Sequence, residues 1–150
     1  MEEFTLTIDI AAPPARVWQV LFDPVTYSQW TAAFSAGSRY EGQFAEGATV
    51  RFLSDSEVSH LDSRVVAFRP PVFLSLLHDF PEPTGESYTL CPTSTGTLLR
   101  IDQDLDPAWA SYMRDTWPRA LVRLKELCEA RPPYFRNKNC PTNITSIPLE

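Results

Sequence analysis

The sequence predicts an α+β domain in which an antiparallel sheet grips one long C-terminal helix. Three observations predict it. Seven stretches in which apolar and polar residues alternate at period two read as strands. The turns between successive stretches are too short to hold a crossover helix, so neighbouring strands run antiparallel. Near the end of the chain the period changes: Trp109, Met113, Trp117, Leu121, Leu124 and Cys128 recur at spacings of three and four, the apolar stripe of a helix over 106–131. At 1.5 Å per residue that helix reaches roughly 39 Å, enough to cross a small domain.

The first strand, 4–10, alternates Phe4, Leu6, Ile8 and Ile10 with Thr5, Thr7 and Asp9. Ala11-Ala12-Pro13-Pro14 stops it and starts a helix over 14–22, with Val17, Trp18, Leu21 and Phe22 on one face. Asp23-Pro24 ends that helix and caps a second short one, which runs to about Trp30. Strands come next at 38–42, at 48–54 with Val50 and Phe52 on one side, and at 57–68. In the last of these, apolar residues at both parities (Val65, Val66, Phe68) predict a bulge. Arg69-Pro70-Pro71 turns the chain into a strand at 72–79, and a loop over 80–85 leads to strands at 86–91 and 97–103.

The last helix takes Asp106 as its N-cap and Pro107 as its first residue. Pro118 lies inside it, where a proline removes one backbone bond and costs ~3 kcal/mol. A bend or break is expected there, with Thr116 capping a second piece. Residues 132–150 have no periodicity and read as an irregular tail. The tail is expected to dock through Tyr134, Phe135, Ile144, Ile147 and Leu149, on its own domain (1–131) or on a neighbouring copy, which would make a homodimer.

A formal charge of −6 argues against nucleic acid and anionic membrane surfaces as partners, since both attract a basic face. No apolar run approaches the length of a membrane span. The acidic start Met1-Glu2-Glu3 does not read as a signal peptide. Three scattered cysteines, Cys91, Cys128 and Cys140, read as reduced thiols, and the expected location is the cytoplasm. With only His60 and His78 beside them, no metal-ligand spacing appears, and neither metal nor cofactor is expected.

Several stretches taken together resemble one family: "APPARVWQVLFDPVTYSQW", "GSRYEGQFAEGATVRF", "VVAFRPPVFLSLLH", "SYTL…GTLLRIDQD" and "WPRALVRLKEL". In order and spacing they are similar to the SRPBCC (START/Bet v 1-like) superfamily, and within it to the activator of Hsp90 ATPase (AHSA1)-like group. The resemblance spans residues 4–131. It implies the helix-grip fold, in which a curved antiparallel sheet wraps around the C-terminal helix and leaves a cavity between them. It implies no fixed catalytic set, because this fold serves binders, transporters, co-chaperones and enzymes alike.

The candidate lining of that cavity comes from every part of the chain. The second short helix and the loop after it supply Trp30 and Phe34; the next strands supply Tyr40, Phe44 and Phe52. Leu76, His78, Tyr88 and Gln103 come from later strands, and Trp109, Met113 and Trp117 from the half of the last helix before Pro118. Aromatic walls with few polar groups are typical of small-molecule pockets, and the same side chains can equally fill a core. His78 shares parity with Leu74 and Leu76, so it faces the helix if they do. Phe73 and Leu77 would then form the outer row. His78, Tyr88 and Gln103 are the weak catalytic candidates, as proton carriers or hydrogen-bonding groups. Asp102, Asp104 and Asp106 read as solvent-facing and capping residues. No nucleophile elbow, phosphate loop or paired carboxylates appear. The reading is a binder of a small apolar or aromatic ligand. The alternatives are an enzyme resembling polyketide cyclases or aromatases, and an interaction domain resembling Hsp90 co-chaperones.

Overall fold

The computed structural model describes residues 1–56, 60–79 and 82–130. The elements are β1 (Glu2–Ile10), α1 (Pro14–Phe22), α2 (Pro24–Thr31), β2 (Arg39–Glu41), β3 (Thr49–Leu53), β4 (His60–Arg69), β5 (Phe73–His78), β6 (Thr84–Thr93), β7 (Gly96–Leu105) and α3 (Ala110–Glu129). The strands form one seven-stranded curved sheet in the order β1-β7-β6-β5-β4-β3-β2, with every pair antiparallel. This is the predicted α+β helix-grip architecture, with two short helices after the first strand.

Period-two patterning decides which face is covered. Leu74 and Leu76 of β5, Tyr88 and Leu90 of β6, and Leu99 and Ile101 of β7 are buried on one face. Against them lie Val17, Leu21 and Phe22 of α1, Tyr27 and Trp30 of α2, and Trp117, Leu121 and Leu124 of α3. Asp23 ends α1 and caps α2, its side chain accepting from the Val25 N–H at 3.0 Å. The predicted bulge lies at Val66: the register slips between Val65 and Ala67, and Val66 turns outward. Phe73 and Leu77 occupy the outer row of β5 and are half-buried.

Three expectations are corrected. First, α3 starts at Ala110. The Asp106 side chain accepts from the Ala108 N–H at 2.8 Å, and the Trp109 N–H donates to the Asp106 carbonyl at 2.9 Å. These bonds close a tight turn. The first helical bond from this end is Met113 N–H to Trp109 carbonyl. Second, Pro118 does not break the helix, which runs from Ala110 to Glu129 as one element. Thr116 caps nothing; its hydroxyl donates to the Tyr112 carbonyl at 2.6 Å, one turn back. Burial of Trp117, Ala120, Leu121 and Leu124 holds the helix together across the lost bond. Third, β6 and β7 run longer than alternation suggested, leaving only Ser94 and Thr95 as the turn between them. The 132–150 tail and Cys140 lie outside the described residues.

Candidate functional site

The register of four strands brings polar side chains together on the covered face. Ser63 of β4 stands opposite His78 of β5, and Glu86 of β6 stands opposite Gln103 of β7. Leu76 is the residue opposite Glu86, so His78 and Glu86 are diagonal neighbours, within reach of long side chains. α3 adds Trp117 from above.

A continuous hydrogen-bonded chain results. Ser63 Oγ lies 2.5 Å from His78 Nδ1, and His78 Nε2 lies 2.9 Å from Glu86 Oε1. Gln103 Nε2 donates to the same Oε1 at 3.1 Å, and the Tyr88 hydroxyl donates to Oε2. Trp117 Nε1 completes the chain by donating to Gln103 Oε1 at 2.7 Å. An ionised carboxylate only accepts, so His78 carries a proton on Nε2. Side-chain exposure is 8% for His78 and 13% for Glu86. Burial by itself would raise the Glu86 carboxyl. The hydrogen bond and charge interaction with His78, aided by Tyr88 and Gln103, outweigh it and hold the group below its ordinary 4.5. Burial, then the charge on Glu86, pushes the Tyr88 hydroxyl well up, so Tyr88 stays a donor. Tyr27 is pushed up by the same two causes in the same order.

Aromatic rings surround this chain. Trp117 meets Phe34 at 4.9 Å, Trp30 at 6.1 Å and Tyr88 at 6.4 Å between centroids. Phe52 stands edge-on to His78 at 6.0 Å, and Tyr40 meets Phe44 at 4.9 Å. The structure therefore brings together Trp30, Phe34, Tyr40, Phe44, Phe52, His78, Tyr88, Gln103 and Trp117. Leu76 is buried in the same layer, and Met113 packs against its edge. Trp109 does not join them. It is 60% exposed, its ring partner is Tyr112, and it belongs to the turn before α3.

The side chain at the centre of the network, Glu86, is absent from the sequence-derived candidates, as are Ser63 and Tyr27. Period two contained the signal for the first two: Glu86 shares parity with Tyr88 and Leu90, and Ser63 with Val65. What obscured it is that Glu and Ser are ordinarily exposed. Among the described residues, no group of three or more His, Cys, Asp or Glu side chains is placed to hold a metal ion. Chemically, the arrangement offers one charged acceptor, a proton-bearing imidazole, a phenol and an amide, all within an apolar wall.

A comparison with curated proteins finds no match. Solved structures share the fold. Protein MLL2253 of Mesorhizobium loti has TM-score 0.72 and 23% identity, covering 84% of this chain and 96% of its own. The AHSA1-like protein of Aeromonas hydrophila has TM-score 0.70 and 16% identity, covering 85% and 92%. The Aha1 dimer of Colwellia psychrerythraea has TM-score 0.71 and 20% identity, covering 86% and 97%. These structures share the helix-grip fold that the resemblance to SRPBCC and AHSA1-like proteins implies. A family model described as polyketide cyclase / dehydrase and lipid transport matches residues 1–129. With nearly the whole described chain matched, the protein belongs to the polyketide cyclase / dehydrase and lipid transport family.

Proposed function

We propose that the chain binds a small aromatic or apolar molecule between the sheet and α3, and that the network at Glu86 orients it. One observation carries this reading: a charged carboxylate, its side chain only 13% exposed, accepts from His78, Tyr88 and Gln103 on the covered face, where Phe52 meets the His78 ring and Trp117 donates to Gln103. Burying such a group is expensive, and hydrophobic replacement is often neutral or stabilising. A recognition role gives a reason to keep it. The free thiols Cys91 and Cys128 support a cytosolic setting. A screen of lipids, sterols, flavonoids and polyketides by thermal shift and native mass spectrometry tests the proposal. The expected result is at least one ligand that raises the melting temperature and alters the fluorescence of buried Trp30 and Trp117. A screen with no bound mass and no melting shift would overturn it.

A second reading, a cyclase-like enzyme, is favoured by a specific observation: His78, Tyr88 and Gln103 converge on one carboxylate. An imidazole and a phenol at such a point are suited to move protons during closure of a poly-ketone chain. Turnover of a poly-β-ketone thioester that is lost in His78→Ala and Tyr88→Phe is the expected result. Equal product distributions with and without the protein would remove this reading.

A further inference from the structure

We infer that the free edge of β1 is the docking site of the chain's own residues 131–140, which lie extended along it. Whatever the covered face binds, this edge needs a partner. β1 stands at one end of the sheet, and among the described residues no strand pairs with its other side. A nine-residue strand therefore carries a row of unpaired backbone groups, which folded proteins ordinarily cover. Lys125 Nζ donates to the Asp9 carbonyl at 2.8 Å, so Asp9 turns its backbone to the free side. By alternation Thr7, Thr5 and Glu3 do the same. Their side chains are exposed on the outer face of the sheet, and Phe4, Leu6 and Ile8 on the other face are only half-buried. Leu99 and Ile101, opposite Ile8 and Leu6 on β7, are fully buried, so the apolar row loses its cover at the edge. The carboxylates of Glu3 and Asp9 have no partner among the described residues. An open concavity of about 170 Å3 lies on the outer face between Glu3, Thr5, Ser87, Asp102 and Asp104.

Residues 131–140 match this edge in position, length and charge. α3 ends beside the end of β1, where Glu129 accepts from the Ala11 N–H at 2.7 Å. Ala130 is already extended, with φ −68° and ψ 139°. Arg131 and Pro132 each precede a proline, which keeps them out of the helical region. An extended chain spans roughly 23 Å from Arg131 to Lys138, against roughly 20 Å from Asp9 back to Glu3. Running that way, the segment is antiparallel to β1, and Tyr134 to Cys140 contain no proline to interrupt pairing. Arg131, Arg136 and Lys138 are three of the chain's 13 basic residues, and no acidic residue follows them before Glu150. At period two Arg136 and Lys138 share one side, toward Glu3 and Asp104, and Phe135 takes the other, toward Phe4, Leu6 and Ile8.

The test uses the full chain, whose only lysines are Lys125 and Lys138. A carbodiimide joins an amine to a carboxylate that it touches, and peptide mass mapping identifies the pair. Lys125 and Glu129, 2.6 Å apart, are the internal control. The expected result is a link from Lys138 to Glu3, Asp102 or Asp104 within one chain. The control link without any link from Lys138 to these carboxylates would overturn the inference. The same link formed only between two chains, in a dimer band that grows with concentration, would overturn docking within one chain and give the edge to a second copy. Hydrogen exchange read by NMR is the second measurement. The Thr5 and Thr7 amides, which face the free side, should exchange more than about tenfold faster in the double variant Arg136→Glu/Lys138→Glu than in the wild type. Equal rates in the two proteins would overturn the pairing, since both substitutions lie outside the folded core and leave the domain intact.

Discussion

At Glu86 two opposing effects act on one carboxyl group. Desolvation favours the neutral acid, while the hydrogen bond and charge of His78 and the hydrogen bonds of Tyr88 and Gln103 favour the anion, and the anion wins. A carboxyl group whose folded pKa lies below its unfolded value stabilises the fold above the unfolded value. That stability is lost as pH falls through the lowered folded value, so the loss lies below the ordinary 4.5. Urea unfolding at neutral pH and at successively lower pH should show this component in the wild type and not in Glu86→Gln. Glu86→Ala leaves buried His78 and Tyr88 and half-buried Gln103 without their acceptor, and the expected destabilisation is about 3–5 kcal/mol at neutral pH. A loss below about 1 kcal/mol would mean that the donors find other partners. Cys128 makes a second prediction. Burial pushes its thiol up to about 12, whereas Cys91 is exposed. Iodoacetamide near neutral pH should label Cys91 in the native protein and reach Cys128 only after unfolding, as peptide mass mapping would show.

α3 carries its apolar stripe over less of its length than spacing alone suggests. Trp109 and Trp117 are eight positions apart on the same predicted stripe, yet one is exposed and the other buried. Trp117→Ala should therefore cost about 3–5 kcal/mol in chemical unfolding, and Trp109→Ala less than about 0.5 kcal/mol. Pro118 is exposed, and the helix continues through it without a bond to the Arg114 carbonyl. Pro118→Ala restores that N–H and removes no buried contact. The expected gain is about 1–3 kcal/mol. A lower melting temperature for Pro118→Ala would show that the local geometry depends on the ring. The stripe itself was legible because helix period is local. The helix start was not, because Asp106 bonds Ala108 and Trp109 as a turn, and a capping residue looks the same in sequence whether it opens a helix or a turn.

Across the whole molecule, the junction between β1 and α1 packs on the β6–β7 hairpin. The Thr97 hydroxyl donates to the Ala12 carbonyl at 2.7 Å, and a Cβ on Gly96 would stand 2.1 Å from the Ile10 carbonyl oxygen. Gly96→Ala should accordingly destabilise the fold by more than about 2 kcal/mol, and a wild-type melting temperature would show that this junction yields easily. Both rows of β5 are apolar, and the structure decides which faces inward. The α+β class, the order of elements, the presence of a bulge in β4 and the inward row of β6 follow from the sequence by itself. Each depends on period two, period 3.6 or turn chemistry, which act over a few residues. The family resemblance was legible in the same way, through the order and spacing of those stretches. Only the tertiary structure decided the site. Ser63, His78, Glu86, Gln103 and Trp117 lie on five elements, and the strand registers together with the seat of α3 bring them within hydrogen-bonding distance. Glu86 can remain inside as an anion because three separate donors reach it, a condition set by packing over the whole domain, which no local pattern records.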